Sequence, residues 1–260
     1  MAEHHELYQR AFYYDIVMDR DVSREIGFLT SVYERYNGGT LGSVLDLACG
    51  PGYHARAFAR RGIRAVGLDL RSEMIQFAAD KAAQEEIVVT WIAADMRHFT
   101  LTAPVDMAFS MFDGFDALLV NEDIVRHLRS VAENLTRGGL YLIDMTHPRE
   151  VDYDHYGDYI YTGERDGIHV EIIWGTNNPQ ADLITAVVET EIEIRINDHG
   201  QLMVIHDNAK ERMLFPQELV LLAELSSAMK VVGWHGDYDI GQPLDHSWKS
   251  RRMIAVLQKM

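Results

Sequence analysis

The chain has 260 residues, 47% hydrophobic and 25% charged, enough apolar content for a full core with or without an insertion, which sets aside a disordered chain. Its 40 acidic against 24 basic residues give a formal charge of -16, a field that repels phosphate backbones and argues against nucleic acid as a partner. The first ten residues lack the basic start and apolar stretch of a signal peptide, no apolar run approaches the roughly 18 residues of a membrane span, and the lone Cys49 has no internal disulfide partner, so a cytoplasmic protein without a membrane partner is expected.

Apolar side chains recur at helical spacing from Leu7 to Arg35, interrupted at Met18-Asp-Arg-Asp, which predicts two helices ending at Asn37-Gly-Gly. Four aliphatic runs follow, Ser43–Leu47, Ala65–Leu70, Val88–Ala93 and Val105–Met111, each leading through turn chemistry into an amphipathic stretch. The next helix has Asn121 as expected N-cap, acids in its first turn, Ile124, Leu128, Val131 and Leu135 on one stripe, and Gly138 as its end. A fifth strand is expected over Leu140–Met145. Strands alternating with helices in this way predict right-handed βαβ units and a parallel sheet covered on both faces.

After Pro148 the period changes to two. Even positions from Ile184 to Ile196 read Ile, Ala, Val, Thr, Ile, Ile, Ile, with Glu189, Glu191, Glu193 and Arg195 between them, the pattern of a strand with one buried face. Asp166-Gly167, Asn177-Asn-Pro179 and Asn197-Asp-His-Gly200 supply turns between Ile168–Trp174, Leu183–Ile196 and Leu202–His206. An antiparallel insertion is therefore expected, and the edge of its long strand Leu183–Ile196 offers itself to another chain, the feature that suggests a cofactor-binding or regulatory protein as a rival reading; a homodimer is also among the expected partners. Pro216 to Met229 returns to helical spacing before two closing strands, Val231–Trp234 and Met253–Leu257. The expected organisation is 1–40 as helices covering the site, 41–148 with 213–260 as the α/β core, and 149–212 as the insertion.

Parallel strands end on one side, where ligands bind. An aspartate stands at each of these ends: Asp46, Asp69, Asp95, Asp113 and Asp144. Aspartates favour loops and helix starts on their own account, yet five at matching places suggest a shared acidic rim. The first turn, Asp46-Leu-Ala-Cys-Gly-Pro-Gly-Tyr-His-Ala55, also fits a dinucleotide fingerprint as Gly50-x-Gly52-x-x-Ala55, with Asp69 at a suitable distance for ribose hydroxyls. A pyrophosphate on that loop would meet the charge of Asp46 at close range, whereas S-adenosylmethionine brings a sulfonium and an ammonium and no phosphate.

Val44-Leu-Asp-Leu-Ala-Cys-Gly-Pro-Gly52 resembles motif I of the class I S-adenosylmethionine-dependent methyltransferases. Val66-Gly-Leu-Asp69, Ala94-Asp95-Met96 and Leu135-Thr-Arg-Gly-Gly-Leu-Tyr-Leu-Ile143 resemble further motifs of that family, in order, over Leu41–Pro148. The resemblance implies an α/β fold: a doubly wound, Rossmann-like, seven-stranded methyltransferase sheet, its last strand antiparallel, carrying an inserted antiparallel β subdomain. It implies S-adenosylmethionine as cofactor and S-adenosylhomocysteine as product, held by Asp46, Ala48, Cys49, Gly50, Gly52, Asp69, Leu70, Asp95, Met96 and Met111. Asp69 would take the ribose hydroxyls, Asp95 the adenine amine, and Met96 would cover the ring. Ala48 stands where the family often has a third glycine, and Pro51 where it often has threonine. An antiparallel insertion after the fifth strand resembles the subgroup of nucleotide-sugar amine dimethyltransferases and glycine N-methyltransferase-like enzymes.

Displacement at a sulfonium needs positioning above all, worth roughly 7–11 kcal/mol, so no obligatory catalytic residue is expected. A small-molecule nitrogen or oxygen acceptor should enter over the same rim, with Tyr13, Phe112, Asp113 and Phe115 as candidates to bind it. Tyr14 is a candidate lid, by resemblance, or a packing residue. His147 is a candidate base or a turn residue. In the insertion Tyr153, Tyr156, Tyr159, Tyr161 and Trp174 form either an aromatic wall or strand packing. No metal is expected, because the 12 histidines show no ligand spacing of the known kinds. The rival functions are an NAD-dependent oxidoreductase, on the glycine pattern alone, and a non-catalytic cofactor-binding protein.

Overall fold

The computed structural model describes residues 6–150 and 159–260. Helices α1 (Glu6–Gln9), α2 (Ala11–Met18) and α3 (Ser23–Asn37) come first, the last ended by a left-handed Gly38. Then β1 (Ser43–Leu47), α4 (Tyr53–Arg60), β2 (Arg64–Asp69), α5 (Ser72–Gln84), β3 (Thr90–Ala93), β4 (Val105–Ser110), α6 (Asn121–Glu133) and β5 (Leu135–Thr146) alternate. Five strands follow, β6 (Tyr159–Arg165), β7 (Ile168–Trp174), β8 (Ala181–Asp182), β9 (Val187–Asp198) and β10 (Gln201–Arg212). The chain closes with α7 (Pro216–Ser226), β11 (Met229–His235) and β12 (Arg252–Lys259). Among the described residues no helix is long and apolar enough to cross a membrane.

Residues 21–150 and 214–260 form one compact unit. Its seven strands run in the order β11-β12-β5-β4-β1-β2-β3, with β12 antiparallel to both neighbours and the four junctions from β5 to β3 parallel. Alternation along the strands divides the core in two. Val44, Met107, Phe109, Leu142 and Val256 face α3 and α4 through Leu29, Val32 and Phe58. Leu45, Leu47, Ala108, Tyr141 and Leu257 face α6 and α7 through Leu128, Val131 and Leu219. Helix α7 starts on Pro216, where the missing N–H costs nothing, and Glu218 Oε2 accepts the Phe215 N–H at 2.9 Å.

Two local expectations change here. Asn121 is the first residue inside α6, with Val120 before it as cap. Gly138 does not end that helix, which stops at Glu133; it sits within β5 at a left-handed φ of +71°. The register between β4 and β5 shifts at this place, and a Cβ on Gly139 would come within 3.0 Å of the Asp106 carbonyl. A glycine pair suits a strand irregularity as well as it suits a helix end.

Residues 6–20 and 159–213 form the other unit, so the expected segment 1–40 is divided. The physical reason is burial: Leu7 and Ile16 of α1 and α2 share a core with Ile172, Ile194 and Ile196, while Ile26, Leu29 and Val32 of α3 belong to the core around β1. The sheet order is β10-β9-β7-β6, with β8 paired to β9. Strand β9 begins at Val187, not Leu183, since Asp182 Oδ1 accepts the Ile184 N–H in a turn that leaves Ile184 exposed. From Val188 to Ile196 the even positions are buried, as the alternation predicted. Because β9 lies between β10 and β7, its edge is closed to a second copy. Strand β6 was not predicted: Gly163 interrupts its pattern, and the glycine is there because a Cβ would strike the Ile16 carbonyl and lie 2.9 Å from Val17 Cα. Tyr161 and Trp174 pack against this unit's core; Tyr153 and Tyr156 lie outside the described residues.

Candidate functional site

Strand order reverses between β1 and β4, the place where an open α/β sheet leaves a crevice at the carboxyl ends. The loop from β1 to α4 fills one side of it. Ala48, Gly50 and Gly52 all take positive φ, +53°, +49° and +75°. Glycine does so freely, whereas Ala48 carries a strain of about 1–2 kcal/mol. A side chain at Gly52 would also lie 2.7 Å from Cζ3 of Trp91, whose indole lies against the loop from β3.

Two acids brace this loop. Asp46, almost fully buried, accepts the Ala55 N–H at 3.2 Å at the start of α4. Asp69, at the end of β2, accepts the Gly50 N–H at 2.8 Å on one oxygen and the Arg71 N–H at 2.8 Å on the other. Loss of hydration pushes the Asp46 carboxyl up to about 8, assisted by the negative charge of Asp69. Burial likewise raises Asp69, against the pull of its two backbone donors. Among the described residues Asp46 forms no ion pair, so the loop is lined by acidity that a cation would relieve. Cys49 is buried, and burial drives its thiol well above the ordinary range, which disfavours the thiolate.

Asp95 differs from these two. Arg97 Nε and Nη2 lie 2.9 and 2.6 Å from its Oδ2, Nη1 reaches Asp123 at 2.8 Å, and the guanidinium holds the Asp95 carboxyl below its usual range. The neighbouring Met96 carbonyl lies 2.7 Å from His127 Nδ1, and His127 Nε2 lies 2.7 Å from the Tyr141 hydroxyl. A carbonyl only accepts, so Nδ1 carries the proton and Nε2 accepts from Tyr141. Burial lowers His127 to about 4, which keeps this link neutral. His127 lies three residues after Ile124 on the buried stripe of α6, a spacing that would have placed it inward.

Across the switch point, β4 leads into Phe112 and Asp113, consecutive non-glycine residues at φ +56° and +65°. Asp144, fully buried in β5, holds them: its Oδ2 accepts the Phe112 N–H at 2.9 Å and its carbonyl the Asp113 N–H at 3.2 Å. Arg252, at the start of β12, donates from Nε to Asp144 at 2.8 Å and from Nη1 and Nη2 to Asp113 at 3.0 and 3.2 Å. The Tyr238 hydroxyl donates to Asp144 at 2.8 Å. Neither Arg252 nor Tyr238 was among the sequence candidates. Asp113, a candidate to meet a substrate, is engaged by Arg252 and by the Thr146 N–H.

The remaining candidates are placed as follows. Phe115, expected at the rim, is fully buried, edge-on to His127 at 5.5 Å, because the turn Gly114–Ala117 directs it into the α6 core. Phe112 is exposed, as is Leu70, while Met111 is buried against the α3 side of the core. His147 Nδ1 accepts the Arg149 N–H at 3.0 Å, so the neutral ring carries its proton on Nε2 and presents a donor there. Burial lowers its pKa, with the Arg149 charge second. Tyr13 and Tyr14 belong to the other unit, where the Tyr13 hydroxyl donates to Asp198 at 3.0 Å and the Tyr14 ring lies 5.7 Å from that of Tyr8.

Residues 44–139 match a family of methyltransferase domains. A putative methyltransferase of Bacillus subtilis is 30% identical over 105 residues, 40% of this chain and 42% of the relative. The dTDP-3-amino-3,4,6-trideoxy-alpha-D-glucopyranose N,N-dimethyltransferase of Streptomyces venezuelae is 30% identical over 102 residues, 39% of this chain and 41% of the relative. The match thus spans about two-fifths of the length of these relatives. An S-adenosylmethionine-dependent methyltransferase from Clostridium acetobutylicum superposes with a TM-score of 0.77 at 16% identity, over 95% of this chain and 96% of that one.

Proposed function

We propose that this chain, which carries a class I S-adenosylmethionine-dependent methyltransferase domain, transfers a methyl group to a nitrogen or oxygen of a small molecule, with an amine nitrogen as the favoured acceptor. The observation that carries the proposal is the pair Asp46 and Asp69 around a loop of positive φ, both carboxyls raised by burial. A ligand bearing positive charge favours ionisation of both acids, whereas a pyrophosphate would hold them protonated, so the loop suits a cationic donor better than NAD. The residues fit the donor in chemistry as well as charge. Asp69 keeps a second lone pair on each oxygen for ribose hydroxyls after accepting Gly50 and Arg71. Asp95 would have to share Arg97 with an adenine amine, and Met96, partly buried beside it, offers an apolar surface to the ring.

Bound S-adenosylmethionine supplies an electrophilic methyl group on a sulfonium leaving group. The chain has to hold the acceptor in line and exclude water, for which exposed Phe112 and the Nε2 donor of His147 are the proposed groups in this unit. The preference for an amine is supported by the name of the Streptomyces venezuelae relative, an N,N-dimethyltransferase of an amino sugar nucleotide. A cytoplasmic location and self-association complete the proposal; among the described residues β10 and β6 are the end strands of the smaller sheet, each paired on one side. Titration calorimetry with S-adenosylhomocysteine and with NAD tests the core of it. The homocysteine compound is expected to bind and NAD not, and NAD binding alone would overturn the assignment. Mass spectrometry after incubation with S-adenosylmethionine and a panel of amino sugar nucleotides and simple amines then reads the acceptor as a gain of one or two methyl groups.

A further inference from the structure

The geometry points to Arg252 as a positioning residue that fixes the turn after β4 against the loop after β1, through its fork onto Asp113 and its bond to Asp144. Three observations carry this. Phe112 and Asp113 both occupy the left-handed region, where two successive non-glycine residues persist only if their surroundings hold them. Their N–H groups are held by Asp144, and the Asp113 carboxylate, between the Thr146 N–H and Arg252, closes the arrangement from the other side. Finally, the turn touches the donor loop: a Cβ on Gly114 would lie 2.9 Å from Ala48 Cβ and 3.1 Å from Ser110 Oγ, so any shift of the turn is felt at Ala48.

Arg252 enters from the antiparallel strand β12, on the far side of β5 from the crevice, and meets neither loop through its backbone. Its planar fork engages two carboxylates at once, Nε on Asp144 and both Nη on Asp113, which sets the angle between the end of β5 and the turn. A lysine would satisfy the charge and lose the angle. The acidic pair outnumbers the single cation, so Arg252 is also what permits two carboxylates to stand side by side. Its effect on methyl transfer is through the turn, an assignment that rests on the methyltransferase proposal above.

The test uses the full chain and S-adenosylhomocysteine as probe. In R252Q, amide hydrogen exchange at Phe112 and Thr146 is expected to accelerate, and affinity for S-adenosylhomocysteine to fall by about tenfold, the size of a typical indirect coupling. R252K, which keeps the cation and loses the fork, is expected to accelerate exchange at Phe112 and to lose affinity nearly as far as R252Q. Should R252Q fail to fold, D113N keeps a neutral Asp144 and Arg252 pair and is expected to show the same faster exchange at Phe112. Unchanged exchange at both amides in R252Q and D113N overturns the assignment, as does affinity held at the parent's level in R252K while exchange at Phe112 accelerates. If the parent chain binds no S-adenosylhomocysteine, it is the methyltransferase proposal that fails, and the exchange data still decide whether Arg252 clamps the turn.

Discussion

Trp91 lies so close over Gly67 that a methyl group on the glycine would sit 2.5 Å from the indole Cε3. The same carbon would lie 3.1 Å from Cys49 Sγ, so a bare backbone in β2 lets the indole of β3 reach the loop after β1. Gly67→Ala should therefore cost about 1–3 kcal/mol, the usual penalty for overfilling a packed site. In urea unfolding, Trp91→Phe should offset part of that loss, giving a coupling of at least roughly 0.5 kcal/mol in the double variant. Strict additivity would show that the two residues do not compete for the same space.

Asp69→Ala removes two hydrogen bonds to a charged acceptor, one of them from Gly50 in the loop itself. Donor affinity should fall by about one to two decades, the equivalent of roughly 1.5–3 kcal/mol. Calorimetry with S-adenosylhomocysteine measures it directly. A folded variant that binds as tightly as the parent would remove Asp69 from the site.

The raised carboxyl of Asp46 makes a pH prediction with a definite sign. Its pKa moves from 3.8 to about 8 on folding. Between those values the folded chain holds a proton that the unfolded chain has released, so this group's contribution to stability declines as pH rises through that window. A cationic donor favours the ionised form. Binding of S-adenosylmethionine at pH 7 should accordingly release protons, and its affinity should rise with pH up to about 8, an effect expected to disappear in Asp46→Asn. Calorimetry in two buffers of different ionisation enthalpy counts the protons, and a count of zero in the parent would contradict the cation argument.

His147 spends its Nδ1 lone pair on the Arg149 N–H. His147→Ala should then lower the rate by less than the hundredfold typical of a lost general base and leave the shape of the pH profile unchanged. Loss of an ascending limb in that profile would restore His147 as the proton acceptor.

Much of this arrangement was legible in the sequence, for identifiable reasons. Aliphatic runs ended by aspartate located β1, β2 and β4 and their acids, since strand burial and turn chemistry both leave local patterns. Arg252 and Tyr238 escaped because their partner Asp144 is 108 and 94 positions away, and no local pattern records such a distance. Phe115 misled for a different reason. It stands among Gly and Asp residues that mark a loop, and only the turn Gly114–Ala117 decides that its ring points inward. At Gly138 the residue type was informative and the element was not, because one left-handed residue serves a helix end and a strand irregularity alike.

Arg165 binds the nearly buried carboxylate of Asp15 at 2.6 Å, across 150 positions of chain. At ribosomal speeds of about 5–20 residues per second, the first helices emerge roughly 8–30 s before the sheet that covers them. Throughout that interval Leu7 and Ile16 have no apolar cover, and Asp15 has no guanidinium to answer its charge. During synthesis α1 and α2 are thus a greasy, unsatisfied segment that must wait for a later part of the chain to be made, and removal of both helices would bare Ile172, Ile194 and Ile196 on the finished sheet.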